Sequence, residues 1–197
     1  MIKRDIILFA ALLAIISGVP AFAQSDVEHR QHGVGSVLAA VASEELRGIT
    51  ASFELLDGDG NLVTDEDFRG QYVLLAFGFT HCEQICPLMA FNMGNVLRAT
   101  EQNAVGIFVS VDTERDTPAV TDIYVSAFGD RMIGLGGTYE QINTVASNFG
   151  VSYAVTKTQR NYTVQHTANI YLMNPDGELQ DIFAVTASSE EILSAIR

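Results

Sequence analysis

Two stretches of the chain, residues 72–79 and 105–111, are almost entirely apolar. Runs of this length and composition predict β-strands that are buried on both faces, as in a sheet covered by helices on either side. Further strands and helices are predicted around these two. The predicted strands are 52–56, 72–79, 105–111, 151–156, 170–173 and 179–183, and the predicted helices are 87–101, 119–128, 138–149 and 189–196.

The order of these elements predicts the fold class. Buried strand, helix, buried strand and helix, followed by a hairpin and a last helix, is the pattern of a three-layer α/β fold with a central mixed sheet. The segment Asn174-Pro175-Asp176-Gly177 has the composition of a tight turn, so the last two strands should form a β-hairpin. Pro118 stands where a helix is expected to begin, a position that proline favours.

The first 23 residues have the layout of a cleavable secretory signal peptide. A short basic start precedes an apolar run at residues 6–16, and Ala21-Phe22-Ala23 offers small residues at the positions that a signal peptidase reads. The alternative is an uncleaved membrane anchor, although this run is short for a hydrocarbon layer about 30 Å thick. The polar residues 24–48 predict a flexible N-terminal arm, and residues 49–197 predict the folded domain.

The chain is acidic, with 24 Asp and Glu against 11 Lys and Arg and a formal net charge of −13. Nucleic acids and anionic lipids are bound by basic patches, so this charge argues against both as partners. Contact with a membrane is expected only through a partner protein or an uncleaved leader. The acidity is compatible with binding of a metal cation or a basic partner. It is equally compatible with a role only in keeping the protein soluble.

Both cysteines of the chain lie where a predicted central strand is followed by a helix. In α/β sheets, functional groups collect at the carboxyl ends of the strands. Cys82 and Cys86 are so close in sequence that a disulfide between them would do little to stabilise the fold. Pro87 suits a first helical turn and disfavours helical backbone at the residue before it. We therefore expect residues 80–86 to be a loop, with Cys86 as a cap whose thiolate is favoured by the helix N-terminus.

Two thiols at this spacing are compatible with thiol–disulfide exchange or with binding of a soft metal. Thiolates select copper(I) or zinc, and an added imidazole permits copper(II) as well. Of the four histidines, His29 and His32 fall in the arm, and His81 is adjacent to Cys82. His166 comes from a different part of the predicted sheet. The spacing alone leaves open whether His166 is a ligand or a hydrogen-bonded structural residue.

Four segments resemble, in the same order, motifs of the Sco/SenC family of cytochrome oxidase assembly proteins. Residues 77–87 are similar to the copper-binding motif of that family, and residues 109–118 to its loop after the second core strand. Residues 162–167 are similar to its histidine segment, and residues 171–177 to its closing hairpin. The resemblance extends from about residue 50 to the C-terminus.

The resemblance implies a thioredoxin-like fold that binds one copper ion, as copper(I) or copper(II), through Cys82, Cys86 and His166. It further implies a metallochaperone rather than an enzyme, which delivers copper to the binuclear copper site of a respiratory cytochrome oxidase. The expected partners are the copper-acceptor subunit of that oxidase and a thiol reductase. Together with the leader, the resemblance predicts an exported, periplasmic protein, anchored in the inner membrane if the leader is retained.

The alternative function is that of a thiol–disulfide oxidoreductase, which would reduce the cysteines of the copper acceptor. Thioredoxin-like reductases place a proline beside their cysteine pair. The chain has Pro20, Pro87, Pro118 and Pro175, and none of these is next to His166. This arrangement favours the metallochaperone.

The chain departs from the family pattern at four positions, and none of them removes a predicted ligand. Glu83 and Gln84 stand where the family often has Pro and Asp, Thr113 stands where Pro is usual, and Gln165 replaces a common Asp. These differences concern the recognition surface and the fine tuning of copper affinity.

The segment that follows the second core strand, with Asp112, Arg115 and Asp116, allows two interpretations. The resemblance implies that this loop lies near the metal and meets the partner. The other interpretation is an ion-paired loop that caps the next helix. His81 likewise allows two interpretations, as a group that supports the metal ligands or as a surface residue.

Overall fold

The computed structural model describes residues 52–196. The strands are β1 (Glu54–Leu56), β2 (Leu62–Thr64), β3 (Tyr72–Gly78), β4 (Ala104–Ser110), β5 (Met132–Leu135), β6 (Tyr153–Lys157), β7 (Tyr162–His166), β8 (Asn169–Met173) and β9 (Leu179–Ala184). The α-helices are α1 (Ile85–Ala99), α2 (Pro118–Ser126), α3 (Tyr139–Asn148) and α4 (Ser189–Ala195), and a 3-10 helix spans Asp65–Phe68. The predicted signal peptide 1–23, the predicted arm 24–48 and residues 49–51 and 197 of the predicted domain lie outside the described residues.

Five strands form the central sheet, in the order β5-β4-β3-β8-β9. β3, β4 and β5 are parallel, whereas β8 is antiparallel to β3 and β9 is antiparallel to β8, so the sheet is mixed as predicted. β8 and β9 form the predicted hairpin. In its turn Gly177 has a φ of 77° and donates its N–H to the carbonyl of Asn174, a conformation that favours glycine.

Helices cover both faces of the central sheet. Successive strand residues point to opposite faces, so Leu75 and Phe77 of β3 pack with α3 on one side. Leu74 and Ala76 pack with α1, α2 and α4 on the other side. The predicted three-layer α/β architecture is therefore confirmed. None of the helices within residues 52–196 has the length and apolarity needed to cross a membrane.

The sequence patterns missed three strands, and the reasons differ. β2 and β5 are only three and four residues long, too short for a clear pattern of apolar positions. β7 is longer, and its side chains are alternately half-buried and exposed. That alternation is the ordinary signal of a strand with one covered face, and it was present in the sequence.

Helix α1 begins at Ile85, two residues before its predicted start. Gln84 is the N-cap and Cys86 is the second helical residue, so the prediction that Cys86 is a cap in a loop is wrong. Pro87 is the third helical residue, where a backbone N–H has no partner within the helix, so proline loses no hydrogen bond. The preference of a residue before proline for extended backbone is overridden here by the first helical turn.

Gly78 provides a test of how tightly the end of β3 packs against α1. A Cβ added at Gly78 would lie 2.3 Å from Cζ of Phe108 and 3.0 Å from Sγ of Cys86, and both side chains are fully buried. We expect Gly78→Ala to lower the free energy of unfolding by about 1–3 kcal/mol because the core would be overpacked. Chemical denaturation of the metal-free protein measures this change.

Gly106→Ala on β4 is the matched control for this experiment. The added Cβ would approach Sδ of Met132 to 2.4 Å, but a methionine side chain is flexible and can move aside. We expect a smaller loss of stability at Gly106 than at Gly78, and the opposite order would contradict the packing argument.

Candidate metal centre

The two cysteines lie on the segment that connects β3 to α1. The chain leaves the sheet after Gly78, and the backbone N–H of Cys82 donates to the carbonyl of Phe79 at 3.3 Å. Cys82 and Cys86 are both free thiols, the first half-buried and the second fully buried. Residues 82–84 are not helical, so the two cysteines are not joined by a continuous helix.

Cys82 accepts hydrogen bonds from the N-terminus of α1. Burial acts to raise the pKa of its thiol, but the hydrogen bonds from Cys86 and from the backbone amides of Gln84 and Ile85 outweigh burial, and the pKa is lowered. One of these bonds joins the N–H of Cys86 to Sγ of Cys82 at 3.4 Å. Because the first amides of a helix lack partners within it, they stabilise a thiolate that lies within hydrogen-bonding distance of them.

Cys86 has the opposite environment. Burial raises the pKa of its thiol well above the ordinary value, and the hydrogen bond with the Cys82 side chain adds to the rise. The prediction that the helix N-terminus favours the Cys86 thiolate is therefore wrong. Because Cys86 lies inside the helix and its side chain enters the core, the helix stabilises the thiolate of Cys82 instead.

His166 is the last residue of β7 and faces Cys86. Its Nε2 lies 3.4 Å from Sγ of Cys86, and its Nδ1 lies 3.0 Å from the carbonyl oxygen of Thr167. Because a carbonyl oxygen only accepts, Nδ1 carries the proton and the lone pair of Nε2 points toward the sulfur. Burial lowers the pKa of His166 and so favours the neutral ring, although the bond to Thr167 acts in the opposite direction. The ring also meets Phe79 edge to face, with centroids 5.8 Å apart.

The structure thus brings together the three residues that were predicted as ligands. Cys82 and Cys86 come from one segment, and His166 comes from another that is 80 residues from Cys86. Two thiols and an imidazole nitrogen with a free lone pair are donors that suit copper(I), copper(II) and zinc. Within residues 52–196, no group of three or more His, Cys, Asp or Glu side chains is clustered tightly enough to hold an ion without rearrangement. His29 and His32 lie outside the described residues.

A buried carboxylate fixes the segment that leads into Cys82. Asp116 accepts hydrogen bonds from Oγ of Ser110 at 2.6 Å and from the backbone N–H and hydroxyl of Thr80 at 2.7 and 2.6 Å. Only 3% of Asp116 is exposed. His81 touches this arrangement from the surface, since its side chain is 55% exposed and its Nδ1 lies 3.1 Å from the hydroxyl of Thr80 and 3.5 Å from Asp116. His81 is therefore largely a surface residue.

A second buried carboxylate reaches the strand that carries His166. Asp112 is fully buried, accepts a hydrogen bond from Oη of Tyr162 at 2.5 Å, and forms an ion pair with Nε of Arg115. The guanidinium of Arg115 also lies 4.0 Å from the centroid of the Tyr162 ring. We call these three side chains the Asp112 cluster. Burial and the bond to Asp112 raise the pKa of Tyr162 to about 12, so its hydroxyl stays a donor. The sequence indicated Asp112 and Arg115, but not Tyr162.

Comparison with known proteins identifies relatives over most of the chain. Residues 41–197 match the family model described as SCO1/SenC. The chain is 34% identical to Protein sco1 of Schizosaccharomyces pombe in a match that covers the whole chain and 76% of that protein. It is 40% identical to the mitochondrial SCO2 homolog of Bos taurus over 74% of the chain, which spans little more than half (57%) of the bovine protein.

Solved structures show the same fold. ScoI of Bradyrhizobium japonicum, solved with copper bound, is 38% identical to the chain, with a TM-score of 0.67 over 75% of the chain and 96% of that structure. BsSco, described as a member of the Sco family of cytochrome c oxidase assembly proteins with a disulfide switch, is 27% identical, with a TM-score of 0.59 over 75% of the chain and 90% of that structure. The predicted thioredoxin-like α/β fold with a central mixed sheet is thereby confirmed.

The unequal environments of the two thiols predict unequal reactivity. The thiolate is the nucleophile, and its fraction rises as the pH passes the pKa, so a lowered pKa moves the rise in rate to lower pH. In the reduced, metal-free protein we expect iodoacetamide to modify Cys82 first, with a rising limb below the ordinary thiol value of about 8.5. Cys86, with its raised pKa, should react slowly.

Peptide mass spectrometry after timed quenching assigns each modification to its cysteine. The same chain unfolded in denaturant is the control, because both thiols are then equally exposed and should react at similar rates. Faster modification of Cys86 than of Cys82 in the folded protein would contradict the assignment.

Proposed function

Because the chain belongs to the SCO1/SenC family, we propose that it is an exported copper metallochaperone. It binds one copper ion through Cys82, Cys86 and His166 and passes the ion to another protein without catalytic turnover. The acceptor is the subunit that carries the binuclear copper site of a respiratory cytochrome oxidase. The protein acts in the periplasm, either free or held at the inner membrane by an uncleaved leader.

One observation carries this proposal more than any other. Nε2 of His166 lies 3.4 Å from Sγ of Cys86, and the Nδ1 proton is held by the carbonyl of Thr167. The hydrogen bond from Nδ1 to Thr167 fixes the ring with its unprotonated nitrogen toward the sulfur. Metal-binding histidines are commonly oriented in this way, by a hydrogen bond from the ring nitrogen that does not bind the metal. The contact of Nε2 with Sγ is also a hydrogen bond from the Cys86 thiol, so substitution of His166, described below, is what separates a ligand from a structural residue.

Binding needs a rearrangement, since within residues 52–196 the side chains are not clustered tightly enough for an ion. Cys82 is half-buried on a non-helical segment and His166 is on a strand outside the central sheet, so both can move toward a metal. Three protein donors leave room for a further ligand. A donor from the acceptor can therefore attach to the copper before all bonds to the chaperone have broken.

The acceptor and the copper itself are inferred from relatives. ScoI of Bradyrhizobium japonicum was solved with copper bound, and BsSco is described as a member of a family of cytochrome c oxidase assembly proteins. Their similarity to this chain supports copper as the ion and an oxidase as the destination. A thiol reductase is the expected second partner, because the cysteines must be reduced before they can bind copper.

The inequality of the two thiols favours a second candidate function, a thiol–disulfide reductase for the cysteines of the acceptor. Cys82 has a lowered pKa and is half-buried, whereas Cys86 is buried and has a raised pKa. A reactive thiol beside a protected one is the arrangement that disulfide exchange uses. Exchange needs both cysteines but has no use for the imidazole, so the two functions can be separated.

Substitution of either cysteine tests the copper site. We expect the reduced wild-type protein to bind one copper(I) per chain, and Cys82→Ala or Cys86→Ala to weaken binding by more than the roughly 10- to 100-fold that loss of an outer partner costs. Anaerobic competition with a chromophoric copper(I) chelator measures the affinity. Ser194→Ala on α4 is the control, and an unchanged affinity in either cysteine variant would disprove the assigned site.

Substitution of His166 separates the roles of the ligands. Copper(I) is satisfied by two thiolates, whereas copper(II) gains from an imidazole. We expect His166→Ala to weaken copper(II) binding by at least about tenfold and to alter the thiolate-to-copper(II) absorption band, while copper(I) affinity and disulfide exchange change little. His81→Ala, at an exposed histidine beside Cys82, is the matched control. Equal losses for the two oxidation states would show that His166 is structural.

A further inference from the structure

The strand that carries His166 lies outside the central sheet. Within residues 52–196, β6 and β7 pair only with each other and join none of the five strands of the central sheet. At the base of this hairpin the N–H of Thr167 donates to the carbonyl of Ser152 at 2.9 Å. Backbone pairing alone therefore leaves open how the hairpin, and with it His166, is oriented over the cysteines.

Alternate side chains of β7 face the body of the protein. Tyr162, Val164 and His166 are half-buried, whereas Thr163 and Gln165 between them are exposed. Residues two and four apart on a strand share one face, so Tyr162 and His166 stand at the two ends of the same covered face. Val164 packs on the apolar core between them. Val164 is only half-buried, so its packing constrains the strand less closely than the packing of fully buried core residues does.

The Asp112 cluster supplies the directional contact at the far end of this face. Oη of Tyr162 donates to Oδ1 of Asp112 at 2.5 Å, and Arg115 pairs with the other carboxylate oxygen while lying over the Tyr162 ring. Asp112 is itself fixed, because it is fully buried and its backbone carbonyl accepts the N–H of Asp116 at 2.9 Å. A hydrogen bond to a buried carboxylate is among the stronger contacts that a side chain can make.

We propose that Tyr162 is a positioning residue that holds the β6–β7 hairpin so that His166 reaches the cysteine pair, and that it thereby favours copper(II) over copper(I). This inference rests on the proposed copper site. Tyr162 acts only through His166. Its loss should therefore affect the oxidation state that uses the imidazole and spare the one that two thiolates satisfy.

An ion pair at this end of the hairpin does not have the same role. Lys157 of β6 pairs with Glu114 at 2.5 Å, but the two side chains are 64% and 53% exposed. Exposed ion pairs stabilise little and are screened by salt. The neutral donor of Tyr162 on a fully buried carboxylate keeps its strength in salt, so we assign the positioning to Tyr162.

The test compares Tyr162→Phe with the unaltered full-length chain. This change removes one oxygen and keeps the ring under Arg115, so the fold should be retained. We expect copper(II) affinity to fall about tenfold, the order expected for one hydrogen bond to a charged group, with an altered thiolate-to-copper(II) band and unchanged copper(I) affinity. In the metal-free protein, hydrogen exchange at the β6–β7 amides should be faster by a similar factor, with β3 and β4 unchanged.

Tyr153→Phe is the matched control. Tyr153 is on the same hairpin, directly opposite His166 in the β6–β7 register, and its buried hydroxyl has no hydrogen-bond partner among the described residues. We expect this variant to match the wild type in copper(II) affinity and in hydrogen exchange.

The outcomes separate the two proposals. If wild-type protein binds copper and Tyr162→Phe matches it in copper(II) affinity, the positioning role is disproved while the proposed function stands. Equal losses of copper(I) and copper(II) affinity, or faster exchange throughout the sheet, would also disprove it, since both indicate general destabilisation. If the wild-type chain binds no copper, the proposed function fails and this inference fails with it.

Discussion

The antiparallel pairing of β3 with β8 is the constraint on which the candidate site depends. Ala76 of β3 lies opposite Ile170 of β8. The C-terminal end of β3 and the N-terminal end of β8 are therefore side by side at one end of the strands. The chain leaves β3 toward Cys82 and reaches β8 from His166. The two segments therefore meet at this end of the strands, although 80 residues separate Cys86 from His166. A register shift of one residue would turn the apolar side chains of β8 to the wrong faces, so core packing fixes the site as well.

One loop then secures both halves of the site. The segment after β4 contains two buried carboxylates, and a buried charge is tolerated only when hydrogen bonds or an opposite charge compensate it. Asp116 is compensated by Ser110 and by Thr80, on the approach to Cys82. Asp112 is compensated by Arg115 and by Tyr162, on the strand of His166. The need to satisfy two acidic groups thus ties the cysteine segment and the histidine segment to a common support.

Much of the fold was predictable because its strongest signals are local. The long apolar runs of β3 and β4, the turn at residues 174–177 and the positions of Cys82 and Cys86 can be read directly from the sequence. The start of α1 could not, because the local preference of a residue before proline gave way to the hydrogen bonds of the first turn. For the same reason the wrong cysteine was expected to have the favoured thiolate. The resemblance to a family supplied His166, but no local pattern links Tyr162 to Asp112, a contact that arises only when the sheet has formed.

The three residues proposed as copper ligands differ in their freedom to move, and under that proposal this difference decides how an ion is accommodated. Cys86 lies on α1 within the core, and Gly78 is present where any side chain would collide with its sulfur and with Phe108. Its position is therefore set by close packing, which yields little. Cys82 is on a non-helical segment and His166 is on a hairpin outside the central sheet. Since no three donors are gathered tightly in the described residues, binding of an ion at the proposed site would require Cys82 and His166 to move toward Cys86. The supports of Cys82 and His166, Asp116 and Asp112, are then the contacts that set how far each can move.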